Sequence, residues 1–265
     1  MTRYAFRRTH HWLATLVLLS TMTSCGGAPE KTLPSDPTNA NRTPENDDGS
    51  AAQDRVYASL RAKMVDSQLA GRDIRDQRIL DAIRRVPRHR FVPPGSRGDA
   101  YADSPLPIGN GQTISQPYIV GLMTQLVDPQ PEDRVLDVGT GSGYQAAVLA
   151  ELVRDVYSIE IVEPLAREAA ERLKTLGYQN IHVRHGDGYA GWPGEAPFDA
   201  IVVAAAPDHV PPALIEQLAP GGKLVIPIGD RFQSLVLIEK QDDGSVTRRN
   251  VAPVMFVPMT GKAEK

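Results

Sequence analysis

The twelve residues from Arg134 to Gln145, RVLDVGTGSGYQ, constrain the fold more than any other part of the chain. Val135, Leu136 and Val138 form a short apolar run interrupted by Asp137, and glycines follow at alternate positions, Gly139, Gly141 and Gly143. Ala146, Ala147, Val148, Leu149 and Leu152 then continue at helical spacing. The pattern predicts a strand, a tight glycine loop and a helix, with a loop that lets a ligand approach the backbone closely. A dinucleotide fingerprint needs G-x-G-x-x-G, and its last glycine position is occupied here by Tyr144. Asp137, inside the strand end, is badly placed for a pyrophosphate and well placed for a cation such as an amino group.

Downstream, strand and helix patterns alternate. Strands are expected at Val156–Glu160, Ile181–Arg184, Phe198–Ala204 and Lys223–Ile226, with helices opening at Glu163-Pro164 and spanning Val210–Leu218. Leu235–Glu239 and Val254–Val257 are expected to form an antiparallel pair joined near Asp243-Gly244. This order predicts a doubly wound α/β sheet, whose ligands bind outside the carboxyl ends of the strands. Asp137, Glu160, Asp187 and the small-residue run Ala204-Ala205-Ala206 all fall at such ends. Glu160 is placed to accept hydrogen bonds from ribose hydroxyls, or else to serve as an acid at a helix N-terminus.

The other end of the chain reads as an address. Arg3, Arg7 and Arg8 precede an apolar run from Trp12 to Met22, shorter than the ~20 residues that span a bilayer. Residues 26–54 are rich in Gly, Pro, Asn, Asp, Ser and Thr, a composition expected of a flexible tether. A folded domain is expected over 55–262. Val56, Leu60, Met64 and Leu69 suggest a first helix, and Ile79, Leu80 and Ile83 a second that starts after Asp76 and stops at Val86-Pro87. His89 reads as a structural histidine. Residues 103–121 read as a loop running into a helix at Tyr118, with Ser115 as a candidate N-cap. The net charge of −3 gives no reason to expect nucleic acid as a partner, and a single cysteine, Cys25, excludes an intrachain disulfide and a cysteine-based metal cluster. No metal site is expected.

The glycine stretch resembles the first motif of the class I S-adenosylmethionine-dependent methyltransferases, and the L-x-P-G-G-x-L run at 218–224 strengthens the likeness. Three further stretches, VPRHRFVP at 86–93, GQTISQP at 111–117 and FVPMTG at 256–261, resemble the protein-L-isoaspartate O-methyltransferases. The resemblance covers about Arg61 to Gly261. It departs from the family at Gly71-Arg72-Asp73, where the family more usually reads Arg-Gly, and at Asn110, where it often carries His or Tyr. It implies a Rossmann-like fold with a mostly parallel sheet, a C-terminal antiparallel hairpin and an N-terminal helical extension. It also implies S-adenosyl-L-methionine as cofactor, held by Thr113, Ile114, Asp137, Gly139, Gly141, Ser142, Gly143, Glu160, Asp187, Gly188 and Thr260. Ser115 is then the active-site residue, and Ala205 and Ala206 line the acceptor side. The implied activity is methylation of the free α-carboxyl of L-isoaspartyl residues in damaged proteins and peptides, which starts their repair through a succinimide. Other readings are a class I methyltransferase for another carboxylate acceptor, or a non-catalytic cofactor-binding envelope lipoprotein. Met22-Thr23-Ser24-Cys25 resembles the bacterial lipoprotein signal box, which implies a signal peptide over 1–25, lipidation of Cys25 and an anchor in the cell envelope. The alternative location is cytoplasmic, as is usual for the family.

Overall fold

The computed structural model describes residues 47–262. The stretch read as a signal peptide, Cys25 included, and residues 26–46 lie outside the described residues. Helix α1 spans Asp47–Met64, so residues 47–54, read as the end of the tether, are helical. The expected apolar face of this helix is only partly used. Val56 and Leu60 are exposed, and burial starts at Met64. A π-helical turn, Val65–Ala70, follows directly and buries Val65 and Leu69; the wider turn changes which side chains face the core. Helix α2, Gln77–Arg85, begins where expected, with the Asp76 carboxylate accepting from the Arg78 amide. His89 stacks on Tyr57 and bonds to the Tyr101 hydroxyl, and burial pushes its pKa down to about 4.

The loop expected over 103–121 contains a hairpin. Strands β1 (Leu106–Gly109) and β2 (Gln112–Ile114) pair antiparallel around Asn110-Gly111, where both residues have positive φ, 52° and 71°. The Asn-Gly dipeptide is itself the hairpin signal; very short strands and Pro107 hid it. Helix α3, Pro117–Val127, follows.

Then comes the main sheet: β3 Arg134–Val138, α4 Tyr144–Ala150, β4 Asp155–Glu160, α5 Glu163–Thr175, β5 Ile181–His185, β6 Phe198–Val203, α6 Pro212–Gln217, β7 Leu218–Ile228, β8 Gln233–Lys240 and β9 Val246–Val254. The strand order is β5-β4-β3-β6-β7-β8-β9. The first five are parallel, and β8 and β9 run antiparallel to their neighbours. The sheet is buried on both faces. Val135, Ala200, Val202 and Val225 pack toward α2, α3 and α4, while Leu136, Val138, Ile201, Val203 and Leu224 pack with α6 on the other side. The strand order reverses between β3 and β6, so a crevice opens at their carboxyl ends.

Several element boundaries differ from the sequence expectation; β7 starts five residues early and β8 is extended at both ends. Helix α6 starts at Pro212, because Pro211 occupies the extended cap position before it, and β7 follows with no separate turn. The last strand is Val246–Val254 rather than Val254–Val257. It is an exposed edge strand carrying Thr247, Arg248, Arg249 and Asn250, and its polar composition blunts the edge while removing the apolar signal. Residues 255–260 leave the sheet and return to the crevice.

Candidate active site

The glycine loop joins β3 to α4. Gly139, Gly141 and Gly143 have φ of 93°, 51° and 88°, which side-chain-bearing residues rarely adopt. Gly143 is also crowded: a Cβ there would lie 3.1 Å from Leu173 Cδ1. The Glu160 carboxylate at the end of β4 ties this loop to the next one. It accepts from the Gly141 amide at 2.7 Å and from the Val162 amide at 2.9 Å. Each oxygen keeps acceptor capacity for a ligand.

The loop and its neighbours enclose a cavity of about 790 Å³. Of the residues singled out in the sequence, Thr113, Ile114, Ser115, Gly139, Gly141, Ser142, Glu160, Gly188, Ala205 and Thr260 line it. Asp137, Gly143, Asp187 and Ala206 do not. Asp137 is fully buried behind the loop. Its Oδ2 accepts from Ser158 Oγ at 2.7 Å, and Ser158 in turn bonds Thr140 Oγ1 at 2.6 Å. Its Oδ1 has no hydrogen-bond partner among the described residues. Burial pushes its pKa up to about 7; the Ser158 bond opposes that rise and the charge of Glu160 adds to it.

Asp187 faces the chain end. Its Oδ1 accepts from the Tyr189 amide at 2.9 Å and its Oδ2 from the Lys262 amide at 2.6 Å. A Cβ on Gly261 would collide with this carboxylate. Ala206 is buried, and its backbone holds the same segment: its amide donates to Val257 O at 2.9 Å, and its carbonyl accepts from Met259 N at 2.8 Å. Ala206 therefore fastens the segment Val257–Thr260, which forms one wall of the cavity, and Asp187 fastens the chain just beyond it at Lys262. The sequence reading missed Pro258 and Met259 as wall residues because their positions depend on contacts with residues distant in the chain.

Ser115 sits at a junction. A second cavity, about 1080 Å³, is lined by Pro105, Thr113, Ser115, Gln116, Ile119, Ala204 and Pro253–Val257. Thr113, Ser115, Ala204 and Val257 belong to both walls. Ser115 is not the cap of α3; Gln116 holds that position and makes no side-chain cap bond. Asp103 does the capping from outside, accepting from the Tyr118 amide at 3.1 Å and from Gln116 Nε2 at 2.7 Å. Arg72 pairs with Asp103 at 3.1 Å and lies over the Tyr118 ring. This arrangement leaves the Ser115 hydroxyl without a hydrogen-bond partner among the described residues.

The charge distribution selects the ligands. Among the described residues, Glu160 is the one charged residue lining the first cavity, and none lines the second. With no lysine or arginine in its wall, the first cavity suits a cation-bearing ligand and gives a phosphate no counter-charge. The buried, unpartnered Asp137 Oδ1 adds an acceptor behind the loop. The sulfonium and ammonium of S-adenosylmethionine, with its ribose hydroxyls, fit this set of groups.

Residues 59–264 match the family model described as Protein-L-isoaspartate(D-aspartate) O-methyltransferase (PCMT). The chain is 55% identical over 221 residues to Protein-L-isoaspartate O-methyltransferase 2 of Syntrophobacter fumaroxidans, covering 79% of this chain and 90% of that one. It is 57% identical over 212 residues to the Protein-L-isoaspartate O-methyltransferase of Opitutus terrae, covering 79% and 91%. Among solved structures, a Plasmodium falciparum protein in complex with S-adenosyl-L-homocysteine superposes with a TM-score of 0.67 at 28% identity, covering 76% of this chain and 98% of that one.

Proposed function

The chain belongs to the protein-L-isoaspartate(D-aspartate) O-methyltransferase family, and from that premise we propose how its own residues serve the reaction. The enzyme transfers a methyl group from S-adenosylmethionine to L-isoaspartyl residues of damaged proteins, the first step of their repair. The observation that carries the assignment of residues is the pair of cavities meeting at Ser115. The cofactor, when bound, supplies an activated methyl on a sulfonium.

Glu160 accepts from the ribose, the glycine loop gives close backbone approach, and Asp137 balances positive charge from behind. Asp187 and Ala206 act indirectly, Ala206 by holding the wall formed by 257–260 and Asp187 by holding the chain just beyond it. The acceptor enters the second cavity. Its α-carboxyl has a pKa of about 3.5 and is ionised at neutral pH, so no general base has to remove a proton. The Ser115 hydroxyl, free of other partners, donates to one carboxylate oxygen and aligns the other with the methyl. Carboxylate and sulfonium neutralise each other as they react, so an apolar wall that excludes water favours the step. Offered labelled S-adenosylmethionine and a peptide pair differing only in L-isoaspartyl or L-aspartyl, the full chain is expected to label the isoaspartyl peptide alone. Equal labelling of both, or of neither, overturns the reading.

We also propose that Cys25 is lipidated and anchors the enzyme in the cell envelope. The basic start, the short apolar run and the single cysteine after Thr23-Ser24 support this. Cys25→Ala is expected to release the protein from membranes; unchanged membrane fractionation overturns the anchor.

A further inference from the structure

The hairpin beside the cofactor cavity carries Asn110-Gly111 at its tip, the one Asn-Gly pair in the chain. Both residues are exposed. Among the described residues, neither the Asn110 side chain nor the Gly111 amide nitrogen is held by a hydrogen bond. Open space surrounds Gly111: a Cβ built there would meet nothing within 4 Å. The other asparagines of the described chain are Asn180 and Asn250. Asn180 donates from its side chain to the carbonyls of Ala150 and Val153, and both residues precede a β-branched neighbour, Ile181 or Val251. In the exposed Asp243-Gly244 turn the nucleophile is tied down, because the Gly244 amide donates to Gln241 O at 2.9 Å.

We infer that Asn110 is a site of spontaneous deamidation that makes the aged enzyme a substrate for a fresh copy of itself; the second half rests on the function proposed above. The Gly111 nitrogen loses its proton to solvent base and attacks Asn110 Cγ. The N–Cγ bond forms, the Cγ–Nδ2 bond breaks, and ammonia leaves. Water then opens the resulting succinimide. Opening at the α-carbonyl routes the main chain through Cγ and frees the α-carboxyl, giving an isoaspartyl residue; opening at the other carbonyl gives aspartate. A neighbour with no side chain offers the least obstructed nitrogen for this attack.

The location gives the change a consequence. The isoaspartyl form inserts a methylene into the two-residue turn that sets the β1–β2 register, and it adds a negative charge. Gln112, Thr113 and Ile114, directly after the turn, line the cofactor cavity, and Ile108 packs against Gly141 from the other strand. Ageing therefore loosens cofactor binding. Repair runs in trans, because the tip belongs to the hairpin that walls its own site and cannot enter its own acceptor cavity without unpairing.

The test holds the full chain at 37 °C and mildly alkaline pH without cofactor, then maps its peptides by mass spectrometry and chromatography against synthetic isoaspartyl standards. The expected result is conversion of the Asn110 peptide ahead of those containing Asn180 and Asn250, with weaker S-adenosylhomocysteine binding in the converted fraction. Fresh enzyme with labelled cofactor should then label the aged chain at residue 110, at a rate that rises with fresh-enzyme concentration. Asn110→Gln, whose ring closure is slower, should age without this signal. Persistence of Asn110 while other asparagines convert overturns the deamidation site. If fresh enzyme methylates a synthetic isoaspartyl peptide but not the aged chain, self-repair falls and the proposed function stands. If it methylates neither, the proposed function falls with it.

Discussion

The two cavities that meet at Ser115 are built by opposite means. The first rests on the carboxyl ends of parallel strands, where each contribution is a local unit: a strand, a short loop and the start of a helix. The second is assembled from the hairpin, the turn into α3 and the irregular stretch after β9, with few regular elements to hold it. One cavity gets its shape from backbone conformation. The other gets it from long-range ties such as Arg72–Asp103–Gln116. A local unit resists change except where its backbone is forced, whereas a tied assembly responds to each tie in turn.

The largest expected effect is at the loop. Gly143→Val puts a β-branched residue at φ 88° against Leu173, and it should cost about 3 kcal/mol of stability and abolish cofactor binding in calorimetry. Retained binding would show that the loop is less constrained than its dihedrals imply. Ser115→Ala stands on the border between the cavities. It should leave cofactor affinity unchanged and lower methyl transfer by roughly 10²-fold, the size of loss that follows misalignment of the reacting groups. Full activity would remove Ser115 from the mechanism.

The third test concerns ionisation, since only the first cavity has a buried acid behind it. Burial raises the folded pKa of Asp137 to about 7, above its unfolded value near 3.8. Between those values the folded state holds the extra proton, so stability from this group is greatest below the unfolded pKa and falls as pH rises toward the folded one. From pH 5 to pH 8 the loss should be on the order of 2 kcal/mol, read from urea midpoints, and Asp137→Asn should remove it. His89, whose folded pKa lies below its unfolded one, loses stability on acidification, but equally in both proteins, so it cancels in the difference. Parallel pH profiles for the two proteins would sink the assignment. The smallest effect is expected at Asp103→Ala, which frees Gln116 and the first turn of α3. Turnover should fall roughly tenfold, about 1.4 kcal/mol of barrier, with cofactor affinity unchanged. An equal loss in cofactor affinity would mean that the two cavities are not independent.

The same contrast explains what could be read from the sequence. Gly139, Gly141, Gly143 and Glu160 announce themselves because spacing along the chain fixes their place in space. The parallel core was legible for the same reason, since apolar runs on both-face-buried strands are continuous. Asp137 and Asp187 were rightly placed at strand ends, yet side-chain direction decides whether a strand-end acid faces the cavity, and no spacing rule supplies it. Val254–Val257 was taken for a strand because it is apolar, when β9 ends at Val254 and these residues line the second cavity. Edge strand β9 was missed for the complementary reason: it is polar because solvent faces it.

The wall formed by Val257–Thr260 also bears on the order in which the molecule is made. These residues leave the ribosome after Ala206, to which Val257 and Met259 are fastened, and Lys262, fastened to Asp187, leaves after them. The glycine loop and its strands can assemble well before then, but they do so with one side open. Competence for chemistry is thus conferred only once Thr260 has been made, more than a hundred residues after the loop whose open side it closes.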